Sequence, residues 1–310
     1  MIFRRWIANL LAFIRLGRFP FLIGGFVLYG LGVAIAFYEG FHVNWPVFLV
    51  GQLIVTATQL MVHYGNDYFD LAADSANPTP IFWSGGSRVL PEGQLPAYIA
   101  LLSAIALGLI ALLATLGLVL HWQLGSLTTY LLLLSICLAW FYSAPPLRLH
   151  SHGVGEISAT FTVSVLTPTI GFYLQAGQLS RTLFLAIIPL ALLQFNVLVS
   201  VAIPDAEGDR QVNKRTLVVL LGRLAAARLY VLALAFAYGL LPVLVWGGLP
   251  VPVAIAVALS APLAAWLGWS MWHGAWSHPE QWSRLALLTI ALLLSTSALE
   301  ISAFLKLTFK

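Results

Sequence analysis

Apolar residues run along the chain in long blocks, each broken by Gly, Pro or polar residues after about one membrane thickness. The blocks predict nine helices near 20–38, 46–64, 96–120, 124–142, 154–175, 182–203, 222–245, 250–269 and 284–305. At 1.5 Å per residue, about 20 residues cross the ~30 Å hydrocarbon layer. A short hairpin at "HWQLG" parts the third block from the fourth, and the last three blocks carry almost no polar residues. Ahead of them, "MIFRRWIANLLAFIRLG" has charges at both ends and no small-residue cleavage site. It reads as an amphipathic helix over 1–17 that lies in the interface and feeds the first span. The expected architecture is all-α: a polytopic membrane bundle of nine transmembrane helices, one domain over 1–310 with the spans in 18–305.

Composition agrees. Hydrophobic residues make up 60% of the 310 residues and charged residues 8%, with a mean hydropathy of +0.93. A soluble domain carries roughly 25% charged residues. The single cysteine, Cys137, excludes a disulfide framework and is expected to be a small core residue. With the N-terminus in the cytoplasm, 12 of the 15 Lys and Arg residues fall on the cytoplasmic side, leaving Arg181, Lys306 and Lys310 opposite. The positive-inside rule therefore supports both the span count and the orientation of a multi-pass protein, expected in a prokaryotic plasma membrane.

The acids change the picture. Six of the 11 acidic residues sit in two short stretches, "NDYFDLAAD" and "PDAEGD", at the cytoplasmic ends of the second and sixth spans. Asn66, Asp70 and Asp74 follow at i,i+4 spacing on one predicted helical face, with Asp67 nearby; Asp205 and Asp209 repeat the spacing. Like charges one turn apart repel, and an Asp deep in a span costs ~2.5–3.5 kcal/mol on insertion scales, so something must offset them. Carboxylate oxygens with few nitrogen or sulfur donors favour Mg²⁺, with Mn²⁺ as a substitute. Mg²⁺ is usually shared with substrate phosphates, and Arg148, Arg210, Lys214 and Arg215 lie on the same side to receive them. No Gly-x4-Gly-Lys-Ser/Thr loop is present. A polyprenyl diphosphate suits such a clamp, its head on the metals and its tail among the helices.

These motifs carry a resemblance. "NDYFDLAAD" resembles the first acidic motif of the UbiA superfamily of intramembrane aromatic prenyltransferases, and "DAEGD" resembles its second. "YSAPPLRL", followed by "GVGE", is similar to the stretch between the family's fourth and fifth helices; "NKRTLVVLLG" is similar to the continuation after the second motif. The resemblance runs from "GRFPFLIGG" to the last helix. It implies a nine-helix bundle around a central cavity that opens to the cytoplasmic side, and Mg²⁺-dependent transfer of a prenyl chain to an aromatic ring. Carried over by position, it implies Asn66, Asp70, Asp205 and Asp209 as metal ligands and Asp67 and Asp74 as supporting or proton-accepting carboxylates. It places Arg18, Tyr142, Ser143, Arg148, Arg210 and Lys214 around the diphosphate, with Tyr142 also beside the reacting carbon. "SGGSRVLPEG" resembles a loop of the branch that prenylates 1,4-dihydroxy-2-naphthoate for menaquinone biosynthesis. That branch often carries an Asn and an Arg just before the second motif, where this chain reads "SVAIPDAEGD".

Other acceptors fit the same class: 4-hydroxybenzoate, homogentisate, a chlorophyllide-like ring or a glycerol phosphate lipid. An ion-coupled transporter would bury its acids near mid-bilayer in broken helices, not at helix ends on one face. A CDP-alcohol phosphotransferase would need a D-G-x2-A-R signature, which is absent. Nothing calls for a nucleic acid or an obligate protein partner. Tyr68, Phe69, Phe82, Trp83, Tyr142 and Phe195 are candidates for shielding an allylic cation. His63, His150 and His152 read as capped or solvated, Glu156 as a favourable charge at a helix N-terminus, and Glu300 as an intramembrane acid of functional or packing use.

Overall fold

The computed structural model describes residues 2–122 and 124–309. Its helices are α1 (Ile2–Leu16), α2 (Leu22–Tyr38), α3 (Trp45–Phe69), α4 (Leu71–Ala76), α5 (Ala97–Trp122), α6 (Ser126–Ser143), α7 (Gly155–Thr160) and α8 (Thr167–Ala176). A π-helical turn, Phe161–Leu166, joins α7 to α8. The rest are α9 (Arg181–Gln211), α10 (Leu217–Leu221), α11 (Arg223–Gly239), α12 (Leu241–Trp246), α13 (Val251–Ala258), α14 (Ala261–Trp272) and α15 (Pro279–Thr308). The protein is an all-α, multi-pass membrane bundle. Among the described residues, eight stretches are long and apolar enough to cross a bilayer, and α13–α14, bent by 44°, supply a ninth if taken as one span. Boundaries lie within a few residues of those expected, apart from the two motif-bearing helices and α15, which starts five residues early at Pro279. The α3 and α9 spans run on to Phe69 and Gln211 and carry the acidic stretches with them.

Local signals account for the element ends. Asn44 caps α3 by accepting a hydrogen bond from the Val47 backbone N–H at 3.2 Å, and Ser180 caps α9 likewise through Leu183. Pro262, at the start of α14, follows the break that bends the eighth span. Ser260 stands at that break, bonded to the hydroxyls of Tyr238 (2.9 Å) and Thr296 (2.8 Å). In α1, Trp6, Leu10 and Leu11 face outward while Ala12 and Leu16 are buried; the chain then turns at Arg18, whose φ of 48° is left-handed. Two apolar clusters form the interior. One joins α2, α9, α11 and α13–α15; the other joins α2, α3, α5, α6 and α8. Outside them, large side chains such as Leu113, Leu120, Tyr130 and Trp246 point away from the protein, as in a chain whose solvent is lipid. Cys137 belongs to that outward face of α6 and not to the core. A small apolar thiol loses nothing against lipid chains.

Candidate active site

A cavity of about 300 Å³ lies where α2, α3, α6, α7, α9 and α15 meet. Its mouth is lined by Asn66, Asp70, Asp74, Asp205 and Asp209, so both acidic stretches open onto one space. Behind them the wall turns apolar, with Val163, Val197, Leu198, Val201, Ile290 and Leu293. The first stretch is not one continuous helix. α3 ends at Phe69, Asp70 caps it, and Asp74 rides on α4, although the Asp74 N–H still bonds the Asp70 carbonyl at 2.9 Å.

Close backbone packing brings the stretches together. Gly208, between Asp205 and Asp209, lies under α4. A Cβ there would stand 2.8 Å from the Asn77 Cα and 2.9 Å from the Ala73 carbonyl oxygen. Both neighbours are backbone, so a side chain must push α4 away. Gly208→Ala is therefore expected to lower turnover at limiting Mg²⁺ by about tenfold or more, as loss of a metal site's supporting geometry does. Activity titrated against Mg²⁺ checks this; an unchanged Mg²⁺ dependence would count against it.

Hydrogen bonds then fix each carboxylate. The Asn77 amide donates to Asp205 at 2.8 Å, and the Gly85 N–H donates to its other oxygen at 3.2 Å. The Ser87 N–H donates to Asp67 at 3.0 Å, and the Ser87 hydroxyl bonds it too. One loop, Ser84–Arg88, thus straddles both acidic stretches. Gly85 and Gly86 give it positive φ, and Gly86 leaves room for the Asp74 carboxylate. Asp70 accepts from the Asn66 amide at 2.8 Å, from His150 Nε2 at 2.6 Å and from the Lys214 ammonium at 2.7 Å. Lys214 also pairs with Asp209 at 3.3 Å. One ammonium therefore reaches both stretches. It is aimed there because Arg215 N–H bonds the Ser151 carbonyl, tying the His150 loop to the Lys214 loop.

The electrostatics follow. Burial works to raise the Asp70 pKa, but Lys214 and His150 outweigh it and hold the carboxyl well below its ordinary range. Asp74 is pushed up to about 8, by burial first and then by Asp70, Asp67 and Asp205. Burial opposes the charge on Lys214, yet Asp70 and Asp209 drive its pKa upward. The cavity wall carries more carboxylates than the two cations that line it, Lys214 and Arg18, can balance. A divalent cation suits that imbalance, and the oxygen-rich donor set suits Mg²⁺. Among the described residues no three metal-ligating His, Cys, Asp or Glu side chains converge into a cage. That fits an ion that completes its shell with phosphate oxygens and water.

The expected site residues divide. Asn66, Asp70, Asp74, Asp205, Asp209, Lys214, Arg18 and Tyr142 line the cavity. Asp67 is buried behind it on Ser87, and the Ser143 hydroxyl accepts from Asn66 at 3.0 Å. Arg148 and Arg210 do not line it: Arg148 is exposed on a left-handed corner, and Arg210 pairs with Glu207 at the surface. Of the aromatic candidates, Trp83 and Tyr142 line the cavity; Phe82 is exposed, while Tyr68, Phe69 and Phe195 pack elsewhere. Three residues read as bland prove otherwise: His150 is buried on Asp70, and His63 and Glu156 line the cavity. Phe21, which the sequence did not single out, lines it too. One Glu156 oxygen accepts from the Leu217 N–H at 3.0 Å and the other has no partner among the described residues. Glu300 is fully buried away from the cavity.

The site is an apolar chamber, set among the apolar helices, whose mouth is ringed by acids. Residues 25–296 match the family model of the UbiA prenyltransferase family. The chain is 25% identical over 246 residues to a 1,4-dihydroxy-2-naphthoate octaprenyltransferase of Bacillus subtilis (strain 168), covering 78% of this chain and 76% of that one. It is 30% identical over 203 residues to the protein of the same name from Escherichia coli (strain K12), covering 64% of each. Its fold is similar to that of a UbiA homolog from Archaeoglobus fulgidus bound to GPP and Mg²⁺, with a TM-score of 0.63, 15% identity, and coverage of 93% of this chain and 99% of that one. The chain belongs to the UbiA prenyltransferase family. It is a membrane-embedded prenyltransferase.

Proposed function

We propose that the protein transfers a prenyl chain from a polyprenyl diphosphate to 1,4-dihydroxy-2-naphthoate, with Mg²⁺ as cofactor. The observation that carries the diphosphate half is the convergence of Asp70 and Asp209 on one ammonium at the mouth of an apolar cavity. The acceptor is supported by the names of the two bacterial relatives and by the Ser84–Arg88 loop, whose sequence resembles the naphthoate branch. Asn66, Asp70, Asp205 and Asp209 would hold Mg²⁺, with Asp74 beside them and Asp67 supporting the loop. When bound, the metal neutralises the diphosphate and makes it a better leaving group. Lys214 and Arg18 bind the diphosphate oxygens, and Tyr142 and Trp83 present ring faces to the positive charge that develops on the allylic carbon. The packed helices keep water from it. The same reading makes the bundle one catalytic domain, lays α1 in the interface and turns the acidic mouth toward the cytoplasm, the side favoured by the basic residues.

Purified protein supplied with Mg²⁺ and labelled geranylgeranyl diphosphate is expected to prenylate dihydroxynaphthoate in preference to 4-hydroxybenzoate, homogentisate or glycerol phosphate. Product formation on one of the others alone would reassign the acceptor. No product on any of them would remove the reading.

A further inference from the structure

One wall of the cavity carries three hydrogen-bonding groups, Gln59, His63 and Gln194, that neither diphosphate nor metal binding uses. Gln59, His63, Asn66 and Asp70 follow one another at intervals of four, three and four residues, which sets them along one face of α3. Gln194 stands eleven residues before Asp205, about three turns along the same face of α9. It lines the cavity, is 7% exposed and has no hydrogen-bond partner among the described residues. Gln59 donates its amide to the Phe21 carbonyl at 2.8 Å, which leaves its own carbonyl oxygen without a donor there. A hydrocarbon tail alone would leave the Gln194 amide and the Gln59 carbonyl oxygen unsatisfied.

His63 is the reactive member of this wall. Its Nδ1 lies 2.8 Å from the Gly17 carbonyl oxygen. A carbonyl only accepts, so Nδ1 carries the proton and, in the neutral ring, Nε2 carries the lone pair. Nε2 has no partner among the described residues, the ring is half-buried, and it lines the cavity. Seven residues of helix, about 10 Å along the axis, separate it from Asp70.

We propose that this wall is the acceptor subsite, that it takes a hydroxylated aromatic ring, and that His63 Nε2 removes the proton of the ring hydroxyl. The inference rests on the prenyl-transfer reading above. As the O–H proton passes to Nε2, the electron pair left on oxygen moves into the ring. A ring carbon forms the C–C bond to the allylic carbon, whose C–O bond breaks with its pair leaving on the diphosphate. The substituted carbon then passes its proton to the departed diphosphate, or loses its carboxylate as carbon dioxide, the bonding pair restoring the aromatic ring, and the imidazolium returns a proton to the ring oxygen. Gln59 and Gln194 bond the polar substituents on the far side of the ring.

The bond to Gly17 also pins the corner before Arg18, so the test must separate base from brace. Asn at position 63 keeps an N–H where Nδ1 stood and removes Nε2. With dihydroxynaphthoate, His63→Asn is expected to lower kcat on the order of 100-fold while leaving KM for geranylgeranyl diphosphate unchanged. With a ring-fluorinated analogue whose hydroxyl is already ionised at the assay pH, the defect is expected to shrink to within about threefold. Added imidazole should restore part of the activity of His63→Ala, which a misfolded corner would not allow. Equal defects with both acceptors, or near-normal turnover of the first, overturn the assignment. Failure of the unaltered protein to transfer to either acceptor instead overturns the prenyl-transfer reading, and this inference with it.

Discussion

Asp70→Asn and Asp209→Asn are each expected to lower prenyl transfer on the order of 1000-fold while leaving the protein folded. Each substitution keeps the volume of the side chain and removes one negative charge from the mouth of the cavity, where both residues stand. Asp70 is the more connected, with Asn66, His150 and Lys214 on its two oxygens. An amide there must turn its NH₂ toward one of three donors, so the position can no longer accept from all of them. Asp209 has fewer partners, and its loss would act chiefly by removing the charge that pairs with Lys214 and that, on the proposed function, would also face the metal. The measurement is product formation at saturating Mg²⁺ beside thermal unfolding in detergent. Activity within tenfold of the unaltered chain for either variant would defeat the clamp.

Lys214→Met is expected to cost about 3–5 kcal/mol of stability, the range seen when one partner of a buried pair is removed. Lys214 is the one side chain that ion-pairs with both acidic stretches in the described structure. Without it, Asp70 and Asp209 face each other across the cavity mouth with no cation from the protein between them. If the site holds Mg²⁺ as proposed, the ion should restore part of the lost stability, because a ligand held by the folded state and not by the unfolded chain stabilises the fold. Thermal unfolding of the variant with and without Mg²⁺ checks both parts. A transition unchanged by the substitution would show that the lysine is incidental.

Much of this was legible in the sequence because membrane helices write themselves in composition. Long apolar blocks with polar breaks leave few alternatives when the backbone must satisfy its own hydrogen bonds. The acidic stretches were legible for the opposite reason, since charge at a span's end is costly and therefore conspicuous. His150 was not legible. In "RLHSHG" no carboxylate is near in sequence, and its partner Asp70 lies 80 residues away, reached only when the loop after α6 folds over α3. Arg148 misled for a related reason. Its left-handed corner points the guanidinium outward and turns the histidine two residues later inward. Phe82 and Trp83 show the limit of reading neighbours alike, because one is exposed and the other lines the cavity. Gly208 could have been noticed, as a glycine between two aspartates within a helix signals close backbone approach.

The reach of α9 has a consequence of its own. At 31 residues it is about 46 Å long, well beyond a hydrocarbon layer of ~30 Å. Its apolar course ends at Ile203, so the turn bearing Asp205 and Asp209 lies past the apolar stretch, where the proposed function sets the boundary with the lipid headgroups. Under the proposed function, a donor lying in the bilayer would keep its charged end at this turn while its oily chain lies along the apolar part of the helix. On that reading, the overhang of a single helix would set the depth at which the two halves of an amphiphile part company.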